Sequence, residues 1–224
     1  MQVYKVGTAE MAIAPLASKI KSCLNNGPTL WLLSGGSNIH ISVAVMSRID
    51  ADLSRNLTVA LADERFGPYN HPDSNWAQLM DAGFDAKYTR LIETLKPDST
   101  DLINTVSSFS EVLSEAMDEA DFLIGQLGMG SDGHTAGILP HSDAAKETEE
   151  LVVGYESSPF LRITASFTAL RRLGSVFLIA TGEDKREQLE KLVNQDIPLE
   201  VQPAQIIKQV NEAYIYNDQV EGKQ

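Results

Sequence analysis

The chain has one cysteine, Cys23, so it cannot close an internal disulfide or build a cysteine-rich metal site. Its expected place is the apolar face of the first helix. The expected compartment is the cytoplasm. Metal-binding spacings such as His-x-x-x-His and Cys-x-x-Cys are also missing, and no metal or other cofactor is expected. The nucleophile elbow Gly-x-Ser-x-Gly is absent, and the glycines that follow the first apolar strand, Gly35-Gly36, do not form the dinucleotide fingerprint Gly-x-Gly-x-x-Gly. No apolar run is long enough to cross a bilayer, so no membrane partner is expected. The start, Met1-Gln2-Val3-Tyr4-Lys5, lacks the basic-then-apolar pattern of a secretory signal. Positive charge is scarce: 18 Lys and Arg against 31 Asp and Glu leave a net charge of −13. A phosphate backbone needs a dense basic surface, so nucleic acid is not an expected partner.

What remains is an ordinary globular composition, 43% apolar over 224 residues, read as one domain spanning 1–224. Apolar positions at helical spacing run over 8–24 and stop at Asn25-Asn26-Gly27-Pro28. Short apolar strands are expected at 29–33, 57–62, 121–127 and 175–180, with further strands near 152–154, 161–165 and 213–216. Helices are expected after Ser37 or Asn38, after Asp73 or Ser74, at about 107–119, at about 183–194 and briefly from Pro203. The polar stretch His141–Glu150 reads as a mobile loop. Strands alternating with helical crossovers imply a mostly parallel sheet covered on both faces.

Chemistry concentrates where strands end. After Phe122-Leu123-Ile124 comes Gly128-Met-Gly-Ser-Asp-Gly-His-Thr-Ala-Gly-Ile-Leu-Pro140. Glycines let backbone approach a ligand, and a histidine there exchanges protons near neutral pH. A purely structural loop needs the glycines but not Asp132 and His134. His134 is expected to open a short helix, whose dipole would favour neutral imidazole. Leu33-Ser34-Gly35-Gly36-Ser37 follows the first apolar strand; a plain turn would explain it, and so would an anion cradle at a helix start. Asp63-Glu64-Arg65 directly follows Val59-Ala60-Leu61-Ala62 and would be costly to bury without partners. Arg162 heads Arg162-Ile163-Thr164, and Lys185 follows Gly182 near a helix start, where the macrodipole does not favour a cation. In an acidic protein a phosphorylated ligand needs such local cations. His71 and His141 read as surface residues, His40 as a helix residue without a catalytic neighbour, and Arg171-Arg172 as solvent-exposed.

Taken in order, these blocks resemble the 6-phosphogluconolactonase family, whose relatives are the glucosamine-6-phosphate deaminases. The family pattern is Gly-x-Gly-x-Asp-Gly-His-Thr-Ala-Ser-Leu-Phe-Pro; here Gly137, Ile138 and Leu139 depart from it, and Asn38-Ile39 stands where the family has Thr-Pro. The resemblance also covers Ser34–Ser37, Asp63-Glu64-Arg65, His71–Asn75, Arg162–Thr164 and Thr181–Lys185. It implies a three-layer α/β/α fold of the sugar-phosphate isomerase type, a modified Rossmann-like arrangement. It implies a carboxylic ester hydrolase acting on a phosphorylated sugar lactone, 6-phosphoglucono-1,5-lactone, in the pentose phosphate pathway. His134 would be the general base, with Asp132, Arg65 and Asp63 in the catalytic group; Asp63 or Glu64 would help hold the site. Ser34, Gly35, Gly36, Ser37, Gly130, Arg162 and Lys185 would bind substrate. Two alternatives stand beside this. A deaminase would carry a glutamate five residues after the loop histidine, where this chain has Leu139, and usually Asp-Glu-Tyr in place of Asp63-Glu64-Arg65. A non-catalytic sugar-phosphate sensor would tolerate the departures at Asn38, Ile39 and Gly137. Oligomeric state is not fixed by the sequence.

Overall fold

The structure, a computed structural model, describes residues 1–222. In chain order the elements are β1 (Gln2–Lys5), α1 (Ile13–Leu24), β2 (Thr29–Leu33), α2 (Ile39–Ser47), β3 (Leu57–Leu61), β4 (Asp63–Phe66), α3 (Asn75–Asp81), β5 (Arg90–Ile92) and α4 (Leu102–Glu119). Then follow β6 (Phe122–Gly128), α5 (Asp143–Lys146), β7 (Val152–Ser157), β8 (Phe160–Ala165), α6 (Phe167–Arg171), β9 (Ser175–Ala180), α7 (Arg186–Asn194) and β10 (Glu212–Asn217). Seven strands form one sheet in the order β1-β10-β9-β6-β2-β3-β5, parallel at every pairing.

The central strands are buried on both faces, and their side chains alternate between two cores. Leu30 and Leu32 enter one core, with Phe109, Leu113, Leu178 and Leu189. Trp31 and Leu33 enter the other, with Leu16, Ile20, Ile41 and Val45. This is the period-2 geometry of a strand applied to a continuous apolar run. Helices α1 and α2 cover one face; α4, α6 and α7 cover the other.

Several expected boundaries move. The helix read as 107–119 begins at Leu102, because Asp101 accepts from the Asn104 N–H and caps it earlier. Ser74 caps α3, accepting from Ala77. Neither Ser37 nor Asn38 caps α2 through its side chain; the Asn38 amide donates to the Ile179 carbonyl instead. The stretch 141–150 contains the one-turn α5. The strands read near 152–154 and 161–165 do not join the main sheet. They are β7 and β8 of a second, antiparallel sheet in the order β4-β8-β7.

That second sheet is joined to the first at the end of β3, where the Ala62 N–H donates to the Leu33 carbonyl and the Ala62 carbonyl accepts from Ala165. The strand order of the main sheet reverses between β2 and β6. Chain progression runs from β2 outward through β3, and from β6 outward the other way through β9 and β10. Loops leaving β2 and β6 therefore diverge and open a crevice at their carboxyl ends.

Candidate active site

The crevice is a cleft of 360 Å³. One wall is the turn after β2. Gly36 there takes φ +65, a left-handed conformation suited to glycine. Gly35 lies against Asn75: a Cβ on it would come within 2.2 Å of the Asn75 Oδ1. Ser34 is buried, and its hydroxyl has no hydrogen-bond partner among the described residues. With Ser37 these residues border the cleft.

The second wall is the loop after β6. No helix opens at His134; the chain makes a tight turn with Gly133 at φ +86, followed by a bridge between Thr135 and Ile138. His134 therefore stands at no helix N-terminus. Asp132 takes over the orienting role. Its Oδ1 lies 2.6 Å from His134 Nδ1 and accepts the His134 backbone N–H at 3.0 Å. With Nδ1 held by a carboxylate, the other ring nitrogen is left for chemistry. Burial raises the Asp132 pKa, but the bonds from His134 outweigh it and hold the carboxyl below its ordinary range. Gly130 makes room for the pair. A Cβ there would lie 2.2 Å from His134 Nδ1 and 2.7 Å from Asp132 Oδ1. His134 and Gly130 border the cleft, whereas Asp132 stands behind His134.

The third wall is the small sheet. Asp63-Glu64-Arg65 is not a loop at the end of β3 but the strand β4, and alternation explains its composition. Asp63 and Arg65 border the cleft. Glu64, fully buried, turns toward the first turn of α3. Its carboxylate accepts from the backbone N–H groups of Arg65 at 2.7 Å, Asn75 at 2.7 Å and Trp76 at 3.0 Å, and from the Ser74 hydroxyl at 2.9 Å. A carboxylate thus satisfies the free donors of a helix N-terminus and ties it to β4. Burial pushes the Glu64 pKa up against these four donors. Asp63 is held by the Asn75 amide, which donates to its carbonyl at 2.9 Å and its Oδ2 at 3.3 Å. Burial raises its pKa, with Arg65, Arg162 and His134 pulling the other way.

Arg65 and Arg162 sit directly opposite each other across β4 and β8. Like charges so paired repel, and an anion between them would relieve that repulsion. Both guanidinium groups lie by the Phe160 ring, at 5.3 and 5.6 Å from its centroid. Arg65 donates to the Asp73 carbonyl at 2.9 Å; Arg162 donates to Ser157 at 2.6 Å and stands 3.8 Å from Asp63. Lys185, in the turn after β9, also borders the cleft and has no carboxylate within ion-pair distance among the described residues. Three cations therefore face one hollow of an acidic protein.

His71 is half-buried, not a free surface residue: its Nε2 is 2.8 Å from the Arg65 carbonyl. His40 pairs with Glu10 at 3.3 Å and His141 stands 3.8 Å from Glu200, both away from this chemistry. Phe160 and Ser157 carried no signal of a site role in the sequence; Asn75 was covered by the His71–Asn75 block of the resemblance, but without a role. A larger hollow of 440 Å³ lies beside β5 and α4. Size does not select it: its Arg90 is paired with Glu119, and Glu93, Asp98 and Asp101 make it acidic. Among the described residues no group of three or more His, Cys, Asp or Glu side chains could hold a metal ion.

The family model described as glucosamine-6-phosphate isomerases/6-phosphogluconolactonase matches residues 6–216. A protein named 6-phosphogluconolactonase from Streptomyces coelicolor is 30% identical over 199 residues, covering 79% of this chain and 75% of its own. The crystal structure of 6-phosphogluconolactonase from Thermotoga maritima superposes with a TM-score of 0.80 at 19% identity, covering 96% of this chain and 97% of that one. A monomeric glucosamine-6-phosphate deaminase superposes with a TM-score of 0.78 at 18% identity, covering 97% of each chain. The structural likenesses establish the α/β fold, and proteins with either name share it.

Proposed function

The chain belongs to the glucosamine-6-phosphate isomerase/6-phosphogluconolactonase family, and from that premise we propose that it hydrolyses 6-phosphoglucono-1,5-lactone to 6-phosphogluconate. The observation that carries the reading is the Asp132–His134 pair at 2.6 Å on the rim of a cleft with three cations. In the proposed mechanism Asp132 accepts from Nδ1 and His134 Nε2 removes a proton from water. The hydroxide equivalent adds to the lactone carbonyl carbon. Arg65 or backbone N–H groups of the loop stabilise the oxyanion. As the bond from that carbon to the ring oxygen breaks, His134 returns its proton to the ring oxygen and the open-chain acid results. Ser34–Ser37, Arg162 and Lys185 hold the phosphate, while Asp63 keeps Arg162 aligned.

The deaminase reading needs a second titratable group beside His134 and Asp63. The position that would supply it, Leu139, packs against the apolar core and is not among the cleft residues. The testing experiment follows hydrolysis of freshly made lactone, corrected for its spontaneous rate, beside ammonia release from glucosamine 6-phosphate. Lactone opening without ammonia is expected. Ammonia above a His134→Ala control would assign the chain to the deaminases.

A further inference from the structure

Lys185 follows a turn that is tied down at one residue, Gly182. After β9 the chain passes through Thr181 and Gly182 into a single 3-10 turn, Glu183–Lys185, before α7 begins. Gly182 has φ +118, open only to glycine without strain. Its carbonyl accepts the Lys185 N–H at 3.1 Å. Its own N–H donates to both carboxylate oxygens of Asp218, at 3.0 and 3.3 Å. Gly182 is thus held at its N–H by Asp218 and holds the Lys185 N–H through its carbonyl.

Asp218 is itself well anchored. It follows the last residue of β10, Asn217, which lies in register with Ala180 at the end of β9. The Asn217 side chain accepts from the N–H groups of Gln219 and Val220 at 2.9 and 2.6 Å, and donates to the Val220 carbonyl at 3.0 Å. Burial works against charge on Asp218, but the Gly182 N–H and the nearby Lys185 outweigh it and keep the carboxyl below its ordinary range.

We infer that Asp218 is a positioning residue for the phosphate-binding Lys185, acting through Gly182. The inference rests on the reading of Lys185 as a phosphate anchor. A carboxylate near an anion site would otherwise only weaken binding. Its use here is the fixed acceptor it offers to a glycine at positive φ. Asparagine offers the same acceptor through its Oδ1, without the charge.

The test measures calorimetric binding of 6-phosphogluconate, and lactone kinetics, for wild type, Asp218→Ala, Asp218→Asn, Lys185→Ala and the Asp218→Ala/Lys185→Ala double variant. Asp218→Ala should weaken 6-phosphogluconate binding about tenfold, the scale of one charge-assisted hydrogen bond. KM should rise with it while kcat stays within about twofold. Asp218→Asn should bind at least as well as wild type. In the Lys185→Ala background Asp218→Ala should cost nothing further. An unchanged affinity in Asp218→Ala, a full loss persisting without Lys185, or no rescue by asparagine would overturn the inference. Should Asp218→Ala not fold, hydrogen exchange at the Gly182 amide of the wild type decides: protection is expected, and free exchange overturns it. A wild type that binds 6-phosphogluconate without opening the lactone defeats the hydrolase reading alone. One that does not bind 6-phosphogluconate defeats both.

Discussion

The loop 128–140 and the β4–β8 wall build the same cleft in opposite ways. In the loop, Asp132 reaches His134 two residues away, and Gly130 clears space for both. In the wall, Arg65 meets Arg162 across an antiparallel pairing of distant segments, and Asp63 is held by Asn75 of α3. One is assembled by sequence neighbours, the other by tertiary structure. The difference implies that the proposed proton-transfer pair and the phosphate-holding part of the wall fail separately: damage to the loop should remove rate, and damage to Arg162 or Glu64 in the wall should remove affinity or stability, while Arg65, proposed at the oxyanion, bears on both.

The loop's self-sufficiency is tested hardest by Gly130→Ala. The added methyl forces the imidazole off Asp132, and a loss on the order of 10²–10⁴ in kcat is expected, as for removal of a general base. Thermal melting should be nearly unchanged; near-wild-type turnover would show that the pair need not be fixed. The wall's dependence on Glu64 comes next. Glu64→Ala leaves four donors without their acceptor and should cost about 3 kcal/mol in denaturant unfolding. A change below about 1 kcal/mol would mean that water replaces the carboxylate.

Arg162→Ala sharpens the comparison at the level of binding. Affinity for 6-phosphogluconate should fall about tenfold, and the wild-type affinity should weaken with added salt more than the variant's. Equal loss for unphosphorylated gluconate would remove the phosphate-anchor role. The smallest expected effect is a pH dependence. Burial raises the Asp63 pKa in the folded protein, so between its unfolded and folded values the unfolded chain binds fewer protons. Stability therefore falls as pH rises through that window. Melting temperatures of Asp63→Asn across the acid range should show a flatter profile than wild type.

The same contrast explains what could be read from the sequence. The parallel sheet was legible because β2, β3, β6 and β9 are apolar runs buried on both faces. The loop was legible as a candidate site because Asp132 and His134 lie within one short stretch. The second sheet was not, since no periodicity announces that β4 pairs with β8. Edge strands β1 and β5 escaped notice because the first is largely exposed and the second is three residues long. His134 was expected at a helix start, but Gly133 at positive φ turns the chain into a bridge and leaves Asp132 to orient the ring. Asn75 was legible only as the end of the block His71–Asn75; its place against Gly35 and Asp63 is a contact that only folding creates.

The division of labour is most directly tested by measuring kcat on fresh lactone and the affinity for 6-phosphogluconate in the same His134→Ala preparation. The account predicts a fall in kcat on the order of 10²–10⁴ with affinity unchanged. Turnover close to wild type in the folded variant, or affinity lost in step with rate, would contradict it.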